Sequence, residues 1–263
     1  MNYRMLGSTG LECSTIGLGT VKLGRMAGLK YAAAGAGRLP TDEEALGLLQ
    51  TAADAGVNLI DTSPAYGVSE ERLGMLLSRV RRTDGRGWLI VTKAGEAFEA
   101  AANGGAGEST YDFSPRALAA SVERSLVRLR VEAVECVLLH FSGKTDEVAV
   151  LREGAAMGAL AELRAAGKVR AIGASTSTTE GGLLAIEMGA DVVMVTINQR
   201  ESTGIAVAAA AETERRGVLV KKALGGGHFD AREAVVMVAS RPGVSSVVIG
   251  TTNPAHLLEV VPA

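Results

Sequence analysis

The sequence has few of the residues that build disulfide frameworks and metal centres. Its 263 residues include two cysteines, Cys13 and Cys136, and three histidines, His140, His228 and His256. The cysteines are far apart and have small or apolar neighbours, so they form neither a disulfide framework nor a zinc knuckle, and we expect two buried free thiols. The histidines are too scattered for a paired metal motif. The sequence therefore predicts no metal site.

Long apolar runs and blocks of like charge are also missing. Glycine or charged residues interrupt every apolar stretch well before the about 20 residues that cross a bilayer. The first ten residues lack the apolar segment of a secretion signal, so we expect a cytoplasmic protein with no membrane partner. Lys and Arg number 27 against 29 Asp and Glu, a net charge of −2, with no basic run to follow a phosphate backbone. Nucleic acid is therefore not an expected partner.

Common nucleotide-binding loops are missing too. Gly17 and Gly19 begin a pattern typical of dinucleotide-binding loops, but Lys22 stands where the third glycine belongs. A phosphate-binding Gly-Lys-Ser/Thr segment does not occur either. Neither motif therefore predicts a nucleotide site.

Eight short apolar runs are spread along the chain, and each is continuous rather than alternating. Continuous runs are typical of strands in a parallel sheet that is covered on both faces. Helical segments fall between them, so the pattern predicts an α/β protein with a (β/α)8 barrel, as a single domain over residues 1–263. The runs are Thr15–Leu18, Val57–Ile60, Trp88–Thr92, Cys136–Leu139, Val169–Ile172, Val192–Ile197, Val218–Val220 and Ser246–Ile249.

The intervening helices have recognisable start signals. Thr41 and Glu44 form a capping box before a periodic apolar stripe that ends at Gly56. A serine or asparagine followed by proline starts two more helices, at 114–115 and 253–254. Further helices are predicted at Ser69–Arg79, Glu153–Ala166, Thr178–Met188, Ser202–Arg216 and Asp230–Ser240.

Three other segments bear on the architecture. Before the first run, the segment with Gly7 and Gly10 predicts a small β-hairpin that caps the bottom of the barrel. Two long loops, Lys22–Leu39 and Ala94–Phe113, follow the first and third strands. Both lie on the face where a barrel of this kind carries its chemistry.

Polar residues end three consecutive runs. Asp61 closes the second strand, Lys93 the third and His140 the fourth, and a short loop fixed by Pro64 returns Tyr66 towards the same rim. Each has an ordinary structural explanation, as a turn former, a snorkelling lysine, a satisfied core histidine or a rim aromatic. Their occurrence together at adjacent strand ends favours a catalytic role.

These four side chains suit proton transfer to an oxygen. A tyrosine with an unperturbed pKa of about 10 is a weak acid at neutral pH. A neighbouring lysine lowers that pKa, and a carboxylate keeps the lysine charged. We therefore expect Tyr66, Lys93 and Asp61 to deliver a proton, with His140 orienting the same oxygen. Carbonyl reduction needs such a proton once hydride from a cofactor reaches the carbon.

Five segments resemble those of the aldo-keto reductases in order and spacing, and the resemblance covers nearly the whole chain. It implies a barrel that binds NADPH without a Rossmann domain and reduces a small carbonyl substrate to its alcohol. Tyr66 is then the general acid, tuned by Lys93 and Asp61, and His140 orients the carbonyl. The segments are Asp61–Gly67, Thr92–Lys93, Ser125–Leu129, Leu138–His140 and Gly173–Ser175.

The resemblance also implies a set of cofactor-binding positions. Ser175 matches the partner of the nicotinamide carboxamide, and Lys222, on the strand face of Val218 and Val220, adds a cation near the pyrophosphate. Glycines allow close approach of the backbone to the phosphates. The full set is Gly19, Thr20, Ser175, Thr176, Ile197, Lys222, Leu224, Gly225, Gly227, Gly250, Thr251, Thr252, His256 and Glu259.

Several positions depart from the family pattern. Thr176 replaces an asparagine, Met194 a glutamine and Ile197 an aromatic that stacks on the nicotinamide. His256 replaces an arginine of the 2′-phosphate clamp, and a neutral histidine is a poorer phosphate partner. The resemblance implies NADP(H) as the cofactor, and this departure leaves NAD(H) as an alternative. The sequence ends at Ala263 without a longer C-terminal tail, which predicts an open mouth.

Two other functions remain open at this point. The altered nicotinamide contacts suit a non-catalytic NADP-binding sensor or regulatory subunit on the same barrel. Lys93 and Lys221, both at strand ends, suit a Schiff-base lyase. Asp61 argues against Lys93 in that role, because a carboxylate raises the pKa of a lysine.

Overall fold

The eight apolar runs form one closed barrel. The computed structural model describes residues 1–26, 38–99 and 107–262. The strands that these runs form pair in parallel in chain order, and the strand at Ser246–Gly250 closes the barrel against the strand at Ile16–Gly19, so the predicted (β/α)8 barrel is confirmed. The strands are β1 (Tyr3–Met5), β2 (Glu12–Ser14), β3 (Ile16–Gly19), β4 (Leu59–Asp61), β5 (Leu89–Ala94), β6 (Glu96–Glu99), β7 (Glu108–Tyr111), β8 (Val134–His140), β9 (Val169–Ser175), β10 (Val192–Thr196), β11 (Gly217–Lys221) and β12 (Ser246–Gly250).

Helices connect the barrel strands and pack outside them. The start signals act as the sequence predicts: Thr41 and Glu44 form a complete capping box, and the side chains of Ser114 and Asn253 cap their helices. Short 3-10 turns cover Pro64–Tyr66 and Leu77–Arg79. The α-helices are α1 (Val21–Gly24), α2 (Asp42–Asp54), α3 (Ser69–Leu76), α4 (Pro115–Leu129), α5 (Glu147–Glu153), α6 (Ala155–Ala165), α7 (Thr179–Glu187), α8 (Gly204–Thr213), α9 (Ala231–Ala239) and α10 (Pro254–Val260).

The connections differ from the prediction in two places. The segment 94–113, which we expected to be a loop, contains the antiparallel hairpin of β6 and β7. Helix α5 precedes α6, and Gly154 in a left-handed conformation (φ 72°) separates them, whereas the sequence predicts one helix from Glu153. Residues 27–37 and 100–106, including Tyr31 and the glycine-rich tip of the second loop, lie outside the described residues.

The N-terminal hairpin closes the bottom of the barrel, as predicted. Strands β1 and β2 pair antiparallel, and Gly7 makes an isolated bridge to Arg216 at the start of β11. Leu6, Leu11 and Cys13 join the cluster of buried side chains inside the barrel. A larger cluster lies between the strands and the surrounding helices. The apolar interior leaves the opposite rim, at the strand carboxyl ends, for polar groups.

None of the helices in the described ranges is both long and apolar enough to cross a membrane.

Candidate active site

The structure brings three of the predicted catalytic side chains into direct contact. The Lys93 ammonium donates hydrogen bonds to Asp61 Oδ1 at 2.5 Å and to the Tyr66 hydroxyl at 3.1 Å. Its third bond goes to the backbone oxygen of Thr62 at 2.8 Å. All three protons of the ammonium therefore have acceptors, and the buried charge is fully satisfied. The nitrogen has one fixed position beside the phenol.

A polar network behind the rim holds Asp61 in place. The amide and hydroxyl of Thr20 donate to the Asp61 backbone oxygen at 3.0 and 2.9 Å. The hydroxyl of Ser69 donates to Thr20 Oγ1 at 2.8 Å and accepts a hydrogen bond from Thr62 Oγ1 at 3.1 Å. Thr20, which the family resemblance placed beside the cofactor, is fully buried and supports the acid side of the site here.

A tight turn places Tyr66 over the rim. Ser63 Oγ accepts a hydrogen bond from the Ala65 amide at 3.0 Å, and Pro64 occupies the first turn of the 3-10 helix. Gly67 follows with φ 61° and ψ −124°, a conformation that side chains other than glycine disfavour. A Cβ atom at Gly67 would lie 2.3 Å from the backbone oxygen of Gly24. The turn can therefore rest directly on the end of α1.

The fourth predicted residue, His140, sits at the end of β8 and faces Tyr66. The two rings are perpendicular, with centroids 6.1 Å apart. His140 Nδ1 lies 2.9 Å from Glu96 Oε2 and 3.4 Å from Ser63 Oγ. The Glu96 contact has the distance of an ion pair but not the directional geometry of a hydrogen bond. The described contacts of the ring are thus at Nδ1, which leaves Nε2 for a substrate oxygen.

The electrostatics of Tyr66 differ from the expectation. Burial and the negative charge of Asp61 raise the pKa of Tyr66 to about 12, and the opposing effect of Lys93 is smaller. The expected net lowering by Lys93 is therefore not found. Burial lowers the pKa of Lys93, but Asp61 and Tyr66 outweigh it and raise the net pKa. At neutral pH the phenol keeps its proton and the lysine its charge.

Glu96 brings a buried carboxylate to the imidazole. Burial opposes its ionisation, but contacts with His140, Ser109 and Tyr111 lower the pKa of Glu96 to about 2. The pKa of His140 is lowered, because burial and the positive charges of Lys93 and Lys221 outweigh the attraction of Glu96. A carboxylate beside Nδ1 favours the tautomer of the neutral imidazole that carries its proton on Nδ1.

Two hydroxyl groups stand on the next strand of the rim. Ser175 ends β9 and is paired in register with His140 of β8. Its Oγ accepts a hydrogen bond from Lys221 Nζ at 2.9 Å. Thr176 is 1% exposed, and its hydroxyl has no hydrogen-bond partner in the described structure. A Cβ atom at Gly182 of α7 would lie 3.3 Å from this hydroxyl, so it lies towards the surrounding helices.

The other predicted cofactor positions are distributed along the same rim. Gly19 and Gly250 end the paired strands β3 and β12. Gly225 adopts φ 54° and packs so closely on Phe229 that a Cβ would approach its ring to 2.4 Å. Thr251 is buried, Leu224, Gly225 and Thr252 are partly buried, and Lys222, Gly227, Gly250, His256 and Glu259 are exposed.

Two predicted positions sit differently from the expectation. Ile197 has no exposed surface and belongs to the outer core cluster, so the structure does not bring it to the rim. Lys222 follows the end of β11 in a left-handed conformation, with φ 58°, and its neighbour Lys221 points inward. Lys221 shares the strand face of Leu219, which belongs to the inner cluster.

Sequence reasoning missed Glu96 and attached Lys221 only to the lyase alternative. Nothing in the sequence signals Glu96, because its strand lacks an alternating apolar pattern. The inward direction of Lys221 follows from the alternation along β11, where Val218 and Val220 face the outer core. For the lyase alternative, Lys93 is unsuitable, because Asp61 keeps it charged. Lys221 in that role stays an untested prediction.

The barrel rim carries a lysine that is ion-paired to Asp61 and bonded to Tyr66, with His140 beside the tyrosine. This arrangement is suited to an oxidoreductase. The family model described as "Aldo/keto reductase family" matches residues 15–199. The chain therefore belongs to the aldo-keto reductase family.

Relatives within the family include one with a solved structure. A Pseudomonas aeruginosa protein assigned to the aldo-keto reductases is 42% identical, with a TM-score of 0.84, covering 98% of this chain and 92% of that one. L-galactose dehydrogenase of Arabidopsis thaliana is 31% identical over 179 residues, 66% of this chain and 48% of its own. D-threo-aldose 1-dehydrogenase of a Pseudomonas species is 31% identical over 187 residues, 64% and 55% respectively. The chain thus spans about half the length of these two curated relatives.

Proposed function

We propose that the protein is an NAD(P)H-dependent oxidoreductase that reduces an aldehyde or ketone to an alcohol. The observation that carries this proposal is the set of contacts among Tyr66, Lys93 and Asp61, with the ammonium nitrogen 3.1 Å from the phenol and 2.5 Å from the carboxylate. The family relationship supports the same chemistry, and both sugar dehydrogenases named above would run it in the alcohol-oxidising direction.

Tyr66 supplies the proton. Because Lys93 donates its own hydrogen bond to the phenolic oxygen, the Tyr66 proton is directed elsewhere, towards Asp61 Oδ2 at 3.4 Å or towards a substrate oxygen. As negative charge develops on that oxygen, Tyr66 transfers its proton and Lys93 stabilises the phenolate that remains. The His140 imidazole orients the oxygen from the other side.

The rim residues fit a nicotinamide dinucleotide, which would supply the hydride when bound. The Ser175 hydroxyl suits the carboxamide, whereas the Thr176 hydroxyl lies towards Gly182 of α7. The glycines at 225 and 227 give the backbone access to phosphates. His256 and Glu259 are exposed on α10, where the adenosine end would lie.

We take NADP(H) as the preferred cofactor and NAD(H) as the alternative. The family generally uses either. Helix α10 starts after Gly250, Thr251 and Thr252, the segment that would bind the adenosine 2′-phosphate. His256 in place of an arginine weakens that preference, because an imidazole lacks the fixed charge and the paired donors of a guanidinium. Calorimetric titration of the wild-type protein with NADPH and with NADH ranks the two directly.

The test of the function is removal of the phenolic hydroxyl. Tyr66→Phe should lower kcat/KM for aldehydes and ketones by roughly 10²–10⁴-fold, the usual contribution of a positioned proton donor. Turnover is followed by oxidation of the reduced cofactor over a panel of carbonyl substrates. Tyr3→Phe is the matched control, because its hydroxyl donates to the Gly56 backbone oxygen near the closed bottom of the barrel.

Two outcomes would count against the proposal. A Tyr66→Phe enzyme as fast as wild type would show that Tyr66 is not the proton donor. Wild-type protein that binds the cofactor but turns over no member of the panel would favour the sensor alternative instead.

A further inference from the structure

A second lysine faces the rim without a carboxylate partner. Lys221 ends β11 and donates to Ser175 Oγ at 2.9 Å. Whereas Lys93 is paired with Asp61, no carboxylate in the described ranges lies within ion-pair distance of Lys221. In its protonated form, this amine therefore brings a positive charge into the site that no ion pair balances.

The position of that charge matters because of the hydroxyl that it contacts. Under the proposed function, on which this inference rests, Ser175 holds the nicotinamide carboxamide. An amine bonded to the same hydroxyl must lie beside the nicotinamide ring. The oxidised ring is a pyridinium cation, whereas the reduced dihydropyridine ring is neutral. A cation beside the ring repels the oxidised form of the cofactor and has no such effect on the reduced form.

We propose that Lys221 makes the protein discriminate between the two redox states of its cofactor, by weakening the binding of the oxidised form relative to the reduced form. Only binding free energies are involved, and Lys221 exchanges no covalent bond. Tight binding of the reduced cofactor and ready release of the oxidised one favour turnover in the reducing direction. The lysine is thus a positioning and selectivity residue for the cofactor.

The discrimination depends on pH. Burial and the positive charges of Lys222 and Lys93 lower the pKa of Lys221 to about 7. Below that pH the amine is charged and repels the oxidised ring, and above it the repulsion disappears. The affinity for the oxidised cofactor therefore falls as pH falls below about 7. The ionisable groups that act on Lys221 are Lys222, Lys93, Glu147, Asp61 and His140.

The experiment measures dissociation constants of oxidised and reduced cofactor by calorimetry between pH 6 and pH 9. It uses whichever pair, phosphorylated or not, the wild type binds more tightly. The ratio of the two constants is the readout, because the phosphates are the same in both forms and their titration cancels. In Lys221→Met the ratio of oxidised to reduced constants should fall by about tenfold at pH 6, with little change at pH 9; tenfold corresponds to about 1.4 kcal/mol.

Two further variants make the test specific. Lys221→Arg keeps its charge at every pH, so its ratio should stay high at pH 9, where the wild-type ratio has fallen. Lys222→Met removes the neighbouring charge near the phosphates; compared at pH 6, where Lys221 is charged in both proteins, it should weaken both forms about equally. The arginine variant should have a higher ratio than the wild type at pH 9. It therefore remains informative even if the methionine variant folds poorly.

The results separate this inference from the proposed function. A wild-type ratio that is independent of pH and unchanged in both Lys221 variants would overturn the inference while leaving the reductase in place. Failure of the wild type to bind either redox form would overturn both.

Discussion

The carboxylate of Glu96 decides how the His140 ring is used. Glu96 is 5% exposed and its Oε2 lies 2.9 Å from Nδ1 of the imidazole. A negative charge there favours a proton on Nδ1 and leaves Nε2 as the nitrogen that meets substrate. Ser63 Oγ, at 3.4 Å from Nδ1, is too distant to take over that role fully. We therefore infer that Glu96 positions His140 for its proposed role.

Neutralising Glu96 should shift the acid limb of the pH profile. The carboxylate raises the pKa of His140 against burial and the neighbouring lysines, so Glu96→Gln should lower it further. We expect the acid limb of log kcat/KM to move to lower pH by about one unit, equivalent to about 1.4 kcal/mol. Glu99→Gln, on an exposed residue of the same strand, should leave the limb in place. An acid limb that is the same in Glu96→Gln and wild type would show that Glu96 does not act on His140.

The turn that carries Tyr66 requires glycine at position 67, where a side chain would be strained. Gly67→Ala would force a left-handed residue and push a Cβ against the Gly24 oxygen, which also accepts from the Val68 amide at 3.2 Å. We expect a strain of about 1–3 kcal/mol and, because the phenol shifts relative to Lys93, a loss of at least about tenfold in kcat/KM. Gly85→Ala is the control, since it has φ 69° but open space around it. Thermal melting measures the loss of stability, and kinetics measures the loss of kcat/KM. Equal activity in the Gly67→Ala and Gly85→Ala variants would contradict the argument.

Elements with local signals are also those that sequence reasoning predicts. Continuous apolar runs identify the barrel strands, and caps such as Thr41 mark helix starts because their hydrogen bonds are made within one turn. The hairpin of β6 and β7 has no such signal: Glu96, Ala97, Phe98 and Glu99 do not alternate between apolar and polar. Its position over the rim depends on tertiary contacts, including Arg25, whose guanidinium lies 3.5 Å from the Phe98 ring and donates to the Ala65 oxygen at 3.0 Å.

The choice between two adjacent lysines shows a second limit of sequence reasoning. Side chains alternate along β11, so a displacement of one residue exchanges the lysine that faces the interior with the one that faces solvent. Lys222 shares the phase of the outward-facing Val218 and Val220, whereas Lys221 shares that of Leu219. The predicted catalytic residues are free of this ambiguity, because three neighbouring strands place them at the same level of the rim.

At the scale of the whole molecule, the two cysteines lie in parts of the fold that can be followed separately during unfolding. One lies in the N-terminal hairpin and the other in the barrel. Cys13 belongs to the N-terminal hairpin, whose two strands pair only with each other and which is joined to the barrel by one backbone bridge and by side-chain hydrogen bonds such as that from Arg4 to the Val244 oxygen. Cys136 lies on β8, which is paired with strands on both sides. Burial raises the pKa of Cys13 to about 12 and also raises that of Cys136, so neither thiol is reactive in the folded protein.

We predict that the hairpin opens before the barrel does. In single-cysteine variants, Cys136→Ala should leave a Cys13 thiol that is labelled by a disulfide reagent at urea concentrations below the global transition, because β1 and β2 form a separate two-stranded sheet whereas each barrel strand is paired on both sides. Cys13→Ala should leave a Cys136 thiol that is labelled only as the barrel unfolds, in step with the loss of circular dichroism. Leu6 and Leu11 of the N-terminal hairpin belong to the inner core, so the alternative is that the hairpin and the barrel unfold as one unit. In that case both thiols would follow the same urea dependence.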